Sequence, residues 1–119
     1  MSFDEELAER IRDAARSEGV AEKKMFGGIA FLRAGRMFCG IAKRDLMVRV
    51  GPDRYAEALR QPHARPMDFT GRPMNGYVFV APPGYRSDAA LEKWLRWGLD
   101  FVATLPAKSA AKTQKLRRK

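Results

Sequence analysis

Apolar residues recur every four positions near the start of the chain and predict a first helix over about residues 3–18. Ser2 and Glu5 have the spacing of a capping box at its start. Gly19 is a residue type that commonly follows the end of a helix. The apolar stripe consists of Phe3, Leu7, Ile11 and Ala15.

Three short runs of strand-forming residues follow this helix. They cover Met25–Leu32, Arg36–Ala42 and Leu46–Val50. The connections between them are only a few residues long, which favours an antiparallel meander. Gly27 and Gly28 lie inside the first predicted strand, where glycine indicates a bulge or a close backbone approach.

The second half of the chain repeats the change from helix to strand and back. Gly51 and Pro52 open a short helix, since proline is favoured in a first helical turn. Two strands are predicted at Pro66–Phe69 and Tyr77–Val80, and Ser87 is a good cap for a final helix. The sequence therefore predicts a two-layer α+β domain, α-β(3)-α-β(2)-α, with an antiparallel five-stranded sheet.

Two of the predicted strands are apolar on both faces. Residues 29–32 and 37–42 do not alternate between apolar and polar types, although alternation is expected for a sheet with one face exposed to solvent. Either helices cover both faces or another subunit closes the second one. Because three helices can hardly cover both faces of five strands, we predict a homodimer.

The net charge of +9 is concentrated at the end of the chain. Residues 106–119 hold six basic residues and no acidic one, which leaves 17 basic and 14 acidic residues in 1–105. We therefore predict a folded domain over 1–105 and a disordered basic tail over 106–119. The tail either makes weak, non-specific contacts with nucleic-acid phosphates or only aids solubility. Its basic residues are Lys108, Lys112, Lys115, Arg117, Arg118 and Lys119.

Targeting signals are lacking in the sequence. The acidic N-terminus has no apolar core of a signal peptide, and no apolar run approaches the ~18 residues that span a bilayer. The single cysteine, Cys39, rules out an intrachain disulfide and is expected to be buried. A cytoplasmic protein without membrane contact is the prediction.

Residues suited to catalysis or metal binding are scarce. With one histidine (His63) and one cysteine, we predict no metal site. No nucleophile–base set, phosphate loop or dinucleotide fingerprint is present, so we predict no enzyme, no catalytic residues and no cofactor. The alternative is a small-molecule-binding or enzymatic domain that uses Arg49, Asp68 and Arg72. Asp68 also lies near Arg65, so a surface ion pair would explain it equally.

The aromatic residues allow two interpretations. Trp94, Trp97 and Phe101 lie on the last predicted helix, where packing in the core or an interface is expected. The sheet aromatics would either fill the core or stack on RNA bases. They are Phe26, Phe31 and Phe38.

Three motifs carry a resemblance to a known family. They are residues 23–31 (KKMFGGIAF), 46–51 (LMVRVG) and 66–74 (PMDFTGRPM). In this order they resemble the TfoX N-terminal domain family over about residues 3–105. The resemblance implies an antiparallel sheet similar to type III secretion chaperones. It also implies regulation of competence genes with a partner transcription factor, although the second, C-terminal domain of those regulators is missing from this chain.

The same motifs suggest a surface for a partner or ligand. The residues offer apolar anchors, flexible backbone and guanidinium groups, or they only fix bulges and turns. We predict a regulatory binding module that contacts a protein such as a transcription factor; a chaperone-like holder of partner segments is a further alternative. The predicted surface comprises Lys24, Met25, Phe26, Gly27, Gly28, Arg49, Asp68, Phe69, Thr70, Gly71, Arg72, Pro73 and Met74.

Overall fold

The computed structural model describes residues 4–25, 27–68 and 73–105. Within these ranges three α-helices and six strands follow one another along the chain. The helices are α1 (Glu5–Ala14), α2 (Pro52–Leu59) and α3 (Asp88–Ala103). The strands are β1 (Val20–Met25), β2 (Gly28–Arg33), β3 (Arg36–Ala42), β4 (Asp45–Arg49), β5 (Ala64–Asp68) and β6 (Pro73–Val80). Short 3₁₀ turns occupy Arg16–Glu18 and Pro82–Tyr85.

The strands form one sheet in the order β1-β2-β3-β4-β6-β5, and every neighbouring pair is antiparallel. This confirms the α+β class and the antiparallel sheet. The number of strands was wrong, because the described residues form six strands and not five. The predicted strand Met25–Leu32 is in fact the end of β1 together with most of β2.

The strand that the sequence missed lies at the edge of the sheet. β1 contains Glu22, Lys23 and Lys24, and a charged strand is typical of sheet edges because it resists pairing with other chains. Its polar composition hides it from a search for apolar runs. Gly27 therefore lies in the turn between β1 and β2, with φ of 75°, and not inside a strand.

The helix ends follow local capping chemistry. Asp4 caps α1, since its Oδ1 accepts hydrogen bonds from the amides of Glu6 and Leu7 at 3.0 and 3.2 Å. The helix thus begins at Glu5, and the predicted cap Ser2 lies outside the described residues. Ser87 caps α3 as predicted, with its Oγ accepting from the amide of Ala90 at 3.1 Å.

One face of the sheet packs against all three described helices. Leu7 and Ile11 of α1, Ala58 of α2 and Trp94 of α3 join a single buried cluster with this face. The result is a two-layer domain whose core lies between the sheet and the helices. The strand residues in the core are Ile29, Phe31, Phe38, Cys39, Ile41, Leu46, Val48, Val78 and Val80.

The opposite face of the sheet explains why two strands carry apolar residues on both of their sides. Ala30, Gly40 and Met47 are aligned across β2, β3 and β4 on this face, and Phe79 of β6 continues the line. Ala30 and Met47 are buried but lie outside the core cluster. We call this surface, on which no described helix packs, the helix-free face.

Burial of Cys39 leads to a chemical prediction. The side chain is 0% exposed, and removal from water raises the pKa of its thiol well above the ordinary value. We expect Ellman's reagent to modify the native protein very slowly and the urea-unfolded protein at the rate of a free thiol. Rapid stoichiometric modification without denaturant would show that this part of the sheet opens readily.

Candidate functional site

The motifs that suggested a single surface lie at opposite ends of the sheet. The turn between Met25 and Gly28 is at the end marked by the β3–β4 connection and Val80. The other end is marked by the pairs Arg49–Tyr77 and Asp68–Pro73. The antiparallel register thus separates the glycine turn from Arg49, Asp68 and Pro73 by the length of the strands.

The glycine motif has a structural role in this fold. Lys24 is exposed and pairs with Ile29 across β1 and β2. Gly28 is buried, and a Cβ at this position would collide with the carbonyl oxygen of Ile41. Close approach of backbones therefore requires glycine here, as the sequence indicated for this position. Phe26 lies outside the described residues.

The third motif is described only at its ends. Asp68 is the last residue of β5, and Pro73 and Met74 open β6. Arg65 contacts Asp45, with 2.6 Å between its guanidinium and the carboxylate. The predicted ion pair of Asp68 lies outside what the structure describes. Outside the described residues are Phe69, Thr70, Gly71 and Arg72, together with the tail residues Lys108, Lys112, Lys115, Arg117, Arg118 and Lys119.

Arg49 lies between the sheet and the C-terminal end of α3. Its guanidinium carbon is 5.6 Å from the ring centre of Tyr77 and 5.2 Å from that of Phe101. Gly51 makes this arrangement possible: its φ is 87°, and a Cβ there would collide with the ring of Phe101. The amides of Val50 and Gly51 both donate to the carbonyl of Gly76, which fixes the turn.

Further cations contact aromatic rings along α3. Arg54 of α2 lies 4.8 Å from the ring centre of Trp97. Lys93 lies 5.2 Å from Trp97 and 4.9 Å from Trp94, and it donates a hydrogen bond to Gln61 Oε1 at 2.8 Å. We define the α3 row as the half-buried residues Arg49, Arg54, Tyr77, Lys93, Trp97 and Phe101.

The three cations of the α3 row, like some other basic residues of the domain, lack a carboxylate partner. Among residues 4–25, 27–68 and 73–105, no carboxylate forms an ion pair with Arg49, Arg54 or Lys93. Six other arginines do form ion pairs: Arg10, Arg12, Arg16, Arg33, Arg65 and Arg96. The row therefore concentrates positive charge that the described fold does not neutralise.

Sequence reasoning identified only part of this row. Arg49 was a candidate, while Trp97 and Phe101 were assigned to packing, and Arg54 and Lys93 were not considered. The available signal was the spacing of Lys93, Trp97 and Phe101, which places them on one side of a helix. Arg54 could not have been found this way, because only the packing of α2 beside α3 brings it to Trp97.

Two other predicted arrangements are resolved by burial. Phe31 and Phe38 are 0% exposed, so neither is available to stack on bases, and the alternative of a stacking sheet face is wrong for them. His63 is exposed in the α2–β5 connection. Within the described ranges no three His, Cys, Asp or Glu side chains are grouped as a metal site.

Comparison with known proteins gives one family. The TfoX N-terminal domain matches residues 13–102, from within α1 almost to the end of α3. A comparison with curated proteins finds no match. In the part of the chain that the structure describes, no helix has the length and apolar character to cross a membrane. The match covers most of the sequence, and the chain belongs to the TfoX N-terminal domain family.

Proposed function

We propose that this chain is a non-catalytic regulatory module of the cytoplasm that works by binding another protein. The observation that carries the proposal is the helix-free face. The central residues of this face are buried within the single chain, but the apolar side chains of Leu32, Met37 and Phe79 remain partly exposed on it. Exposed apolar surface of this kind on a domain marks a site for a partner.

The helix-free face has the layout of a protein interface. Its centre is formed by the buried Ala30, Gly40 and Met47. Around this centre lie the half-buried apolar side chains of Leu32, Met37 and Phe79. Charged residues border them: Lys23, Asp45 and Arg65. An apolar centre with a polar rim is typical of surfaces that bind proteins.

A second copy of the chain is the first occupant to consider. A two-fold dimer places the same patch on both sides of the interface, so the apolar side chains of one copy pack against those of the other. The rim carries both signs of charge, and Asp45 and Arg65 already neutralise each other at 2.6 Å. A rim of this kind does not repel its own copy. A transcription factor, as the family resemblance implies, would use the same face in a mixed complex.

Sedimentation equilibrium across the micromolar range tests this proposal. We expect the wild-type chain to sediment as a dimer, and the Leu32→Lys and Phe79→Lys variants as monomers, because each places a charge in the apolar ring. Ala56→Lys is the matched control, since it adds the same charge at an exposed position of α2. A monomeric wild type, or equal dissociation of the control, would contradict the use of this face in self-association.

The basic tail supplies a second, separable activity in the proposed function. Six basic residues and no acidic one in residues 106–119 suit weak contact with phosphates. Binding of random-sequence nucleic acid by the full chain should therefore weaken in a truncation that ends at Leu105. Equal affinity of the two chains would assign no binding role to the tail.

A further inference from the structure

We propose that the α3 row is a separate binding site for the backbone of single-stranded nucleic acid. This site belongs to the folded domain and uses other residues than those named for the helix-free face and the tail, although Arg49 and Tyr77 lie two residues from Met47 and Phe79 on the same strands. The row has three features that together point to this ligand: cations without carboxylate partners, charges spaced along α3, and aromatic rings beside the charges.

The first feature is the state of the cations. In the described ranges, Arg49 and Arg54 donate no hydrogen bond, although both side chains are half-buried. Contact with a ring holds a guanidinium in place and leaves its N–H groups available. Phosphate oxygens are acceptors that match the fork of a guanidinium. The two arginines are therefore held in position for an anion that is not part of the described fold.

The second feature is the spacing along α3. Lys93, Trp97 and Phe101 succeed one another at intervals of four residues. Arg54 and Lys93 both contact Trp97, and Arg49 contacts Phe101, one turn further along the helix. At a rise of about 1.5 Å per residue, these two positions are about 6 Å apart along α3. A chain of negative charges can contact the cations at both positions, so the spacing favours a linear polyanion.

The third feature distinguishes nucleic acid from an acidic peptide. Each of the half-buried rings of Trp97, Phe101 and Tyr77 lies within about 6 Å of a cation of the row. Sites for single strands combine a positive track for the backbone with aromatic side chains for unpaired bases, whereas an acidic peptide has no use for the rings.

Fluorescence anisotropy of the full chain with a labelled random-sequence single strand, over a salt series, tests the proposal. Each lost phosphate contact lowers the salt dependence of log K by about 0.7 for single strands. The double variant Arg49→Gln/Arg54→Gln should therefore lower the slope by about 1.4. If the plots of log K against log salt concentration for the wild type and the double variant meet at 1 M salt, the affinity of the variant at 0.1 M is about 25-fold weaker than that of the wild type.

A matched variant separates the row from general charge. Lys23→Gln/Lys43→Gln removes the same two charges at exposed positions of β1 and the β3–β4 turn. We expect the slope of log K against log salt for this variant to differ from that of the wild type by less than about 0.3. This difference is less than half of the change expected from one lost phosphate contact. Thermal unfolding shows whether each variant is folded. If Arg49→Gln unfolds the domain, Arg54→Gln alone should lower the slope by about 0.7, since α2 carries this residue near its exposed side.

Several results would overturn the proposal. They are no binding of the wild type, an equal loss of slope in the two double variants, stronger binding to duplex than to the single strand, and displacement of the strand by polyglutamate at equal charge concentration. None of these results bears on the helix-free face, because its test measures self-association without nucleic acid.

Discussion

Replacing Trp94 with alanine is expected to destabilise the domain by about 3–5 kcal/mol, the usual range for removal of a large buried aromatic side chain. Trp94 is only 1% exposed and is the largest fully buried side chain described. It lies in the α3 segment that closes the core over β3 and β4. Small domains have about 5–15 kcal/mol of stability in total, so the variant loses a large part of it. Urea denaturation measures the loss from the shift of the midpoint at constant slope.

Trp97→Ala is the control for this prediction. Trp97 makes an edge contact with Trp94 at 5.3 Å between ring centres, but it is only half-buried. Truncation at a half-exposed site leaves no closed cavity, so we expect less than half the loss caused by Trp94→Ala. Equal losses would mean that the two rings act as one packing unit.

Replacing Gly98 with alanine is expected to destabilise the protein, although the same change in an exposed helix stabilises it by about 1 kcal/mol. A Cβ at Gly98 would lie 2.5 Å from the carbonyl oxygen of Phe38 and 3.3 Å from its carbonyl carbon. These are backbone atoms of β3, so the helix must move away from the sheet. Such overpacking costs about 1–3 kcal/mol, which exceeds the gain in helix propensity. The midpoint of urea unfolding is again the measurement.

Glu92→Ala provides the comparison for Gly98→Ala on the same helix. Glu92 is exposed and has no ion pair among the described residues, so its replacement should change the free energy of unfolding by less than about 0.5 kcal/mol. A gain in stability from Gly98→Ala would contradict the close contact of α3 with β3 at this point.

Most of the architecture was predictable from local signals in the sequence. Gly19, Pro52 and Ser87 mark helix ends, and the structure places them at or next to such ends. Apolar runs located β3 and β4 to within a residue. These signals work because capping, turn chemistry and burial act over a few neighbouring residues.

The errors in the predicted sheet have a common physical cause. β1 is a polar edge strand, and β6 begins at Pro73, in a stretch that the sequence indicates as turn-rich. In both cases pairing with a neighbouring strand determines the conformation, and the residue types do not. Strand propensity therefore located the buried strands and missed the polar part of the sheet.

The candidate site was predictable only in part, since it depends on tertiary placement. Three motifs that share a family resemblance suggested one surface, yet antiparallel register sends the glycine turn to the end of the sheet opposite Arg49. Conversely, Arg54 and Arg49 come near α3 from two different elements. Their partners in space are not their neighbours in sequence, so no local pattern reveals the row.

The position of α3 in the chain has a consequence for folding during translation. This last described helix contributes a large share of the apolar layer over the sheet: Leu91, Trp94, Leu95, Leu99 and Val102. Strands β1–β4 are synthesised well before it, so their inner face stays exposed until residue 102 has left the ribosome. Domains fold as units once their core residues are present. A nascent chain halted before α3 should therefore bind chaperones and be sensitive to proteases, even though all six described strands have already been synthesised.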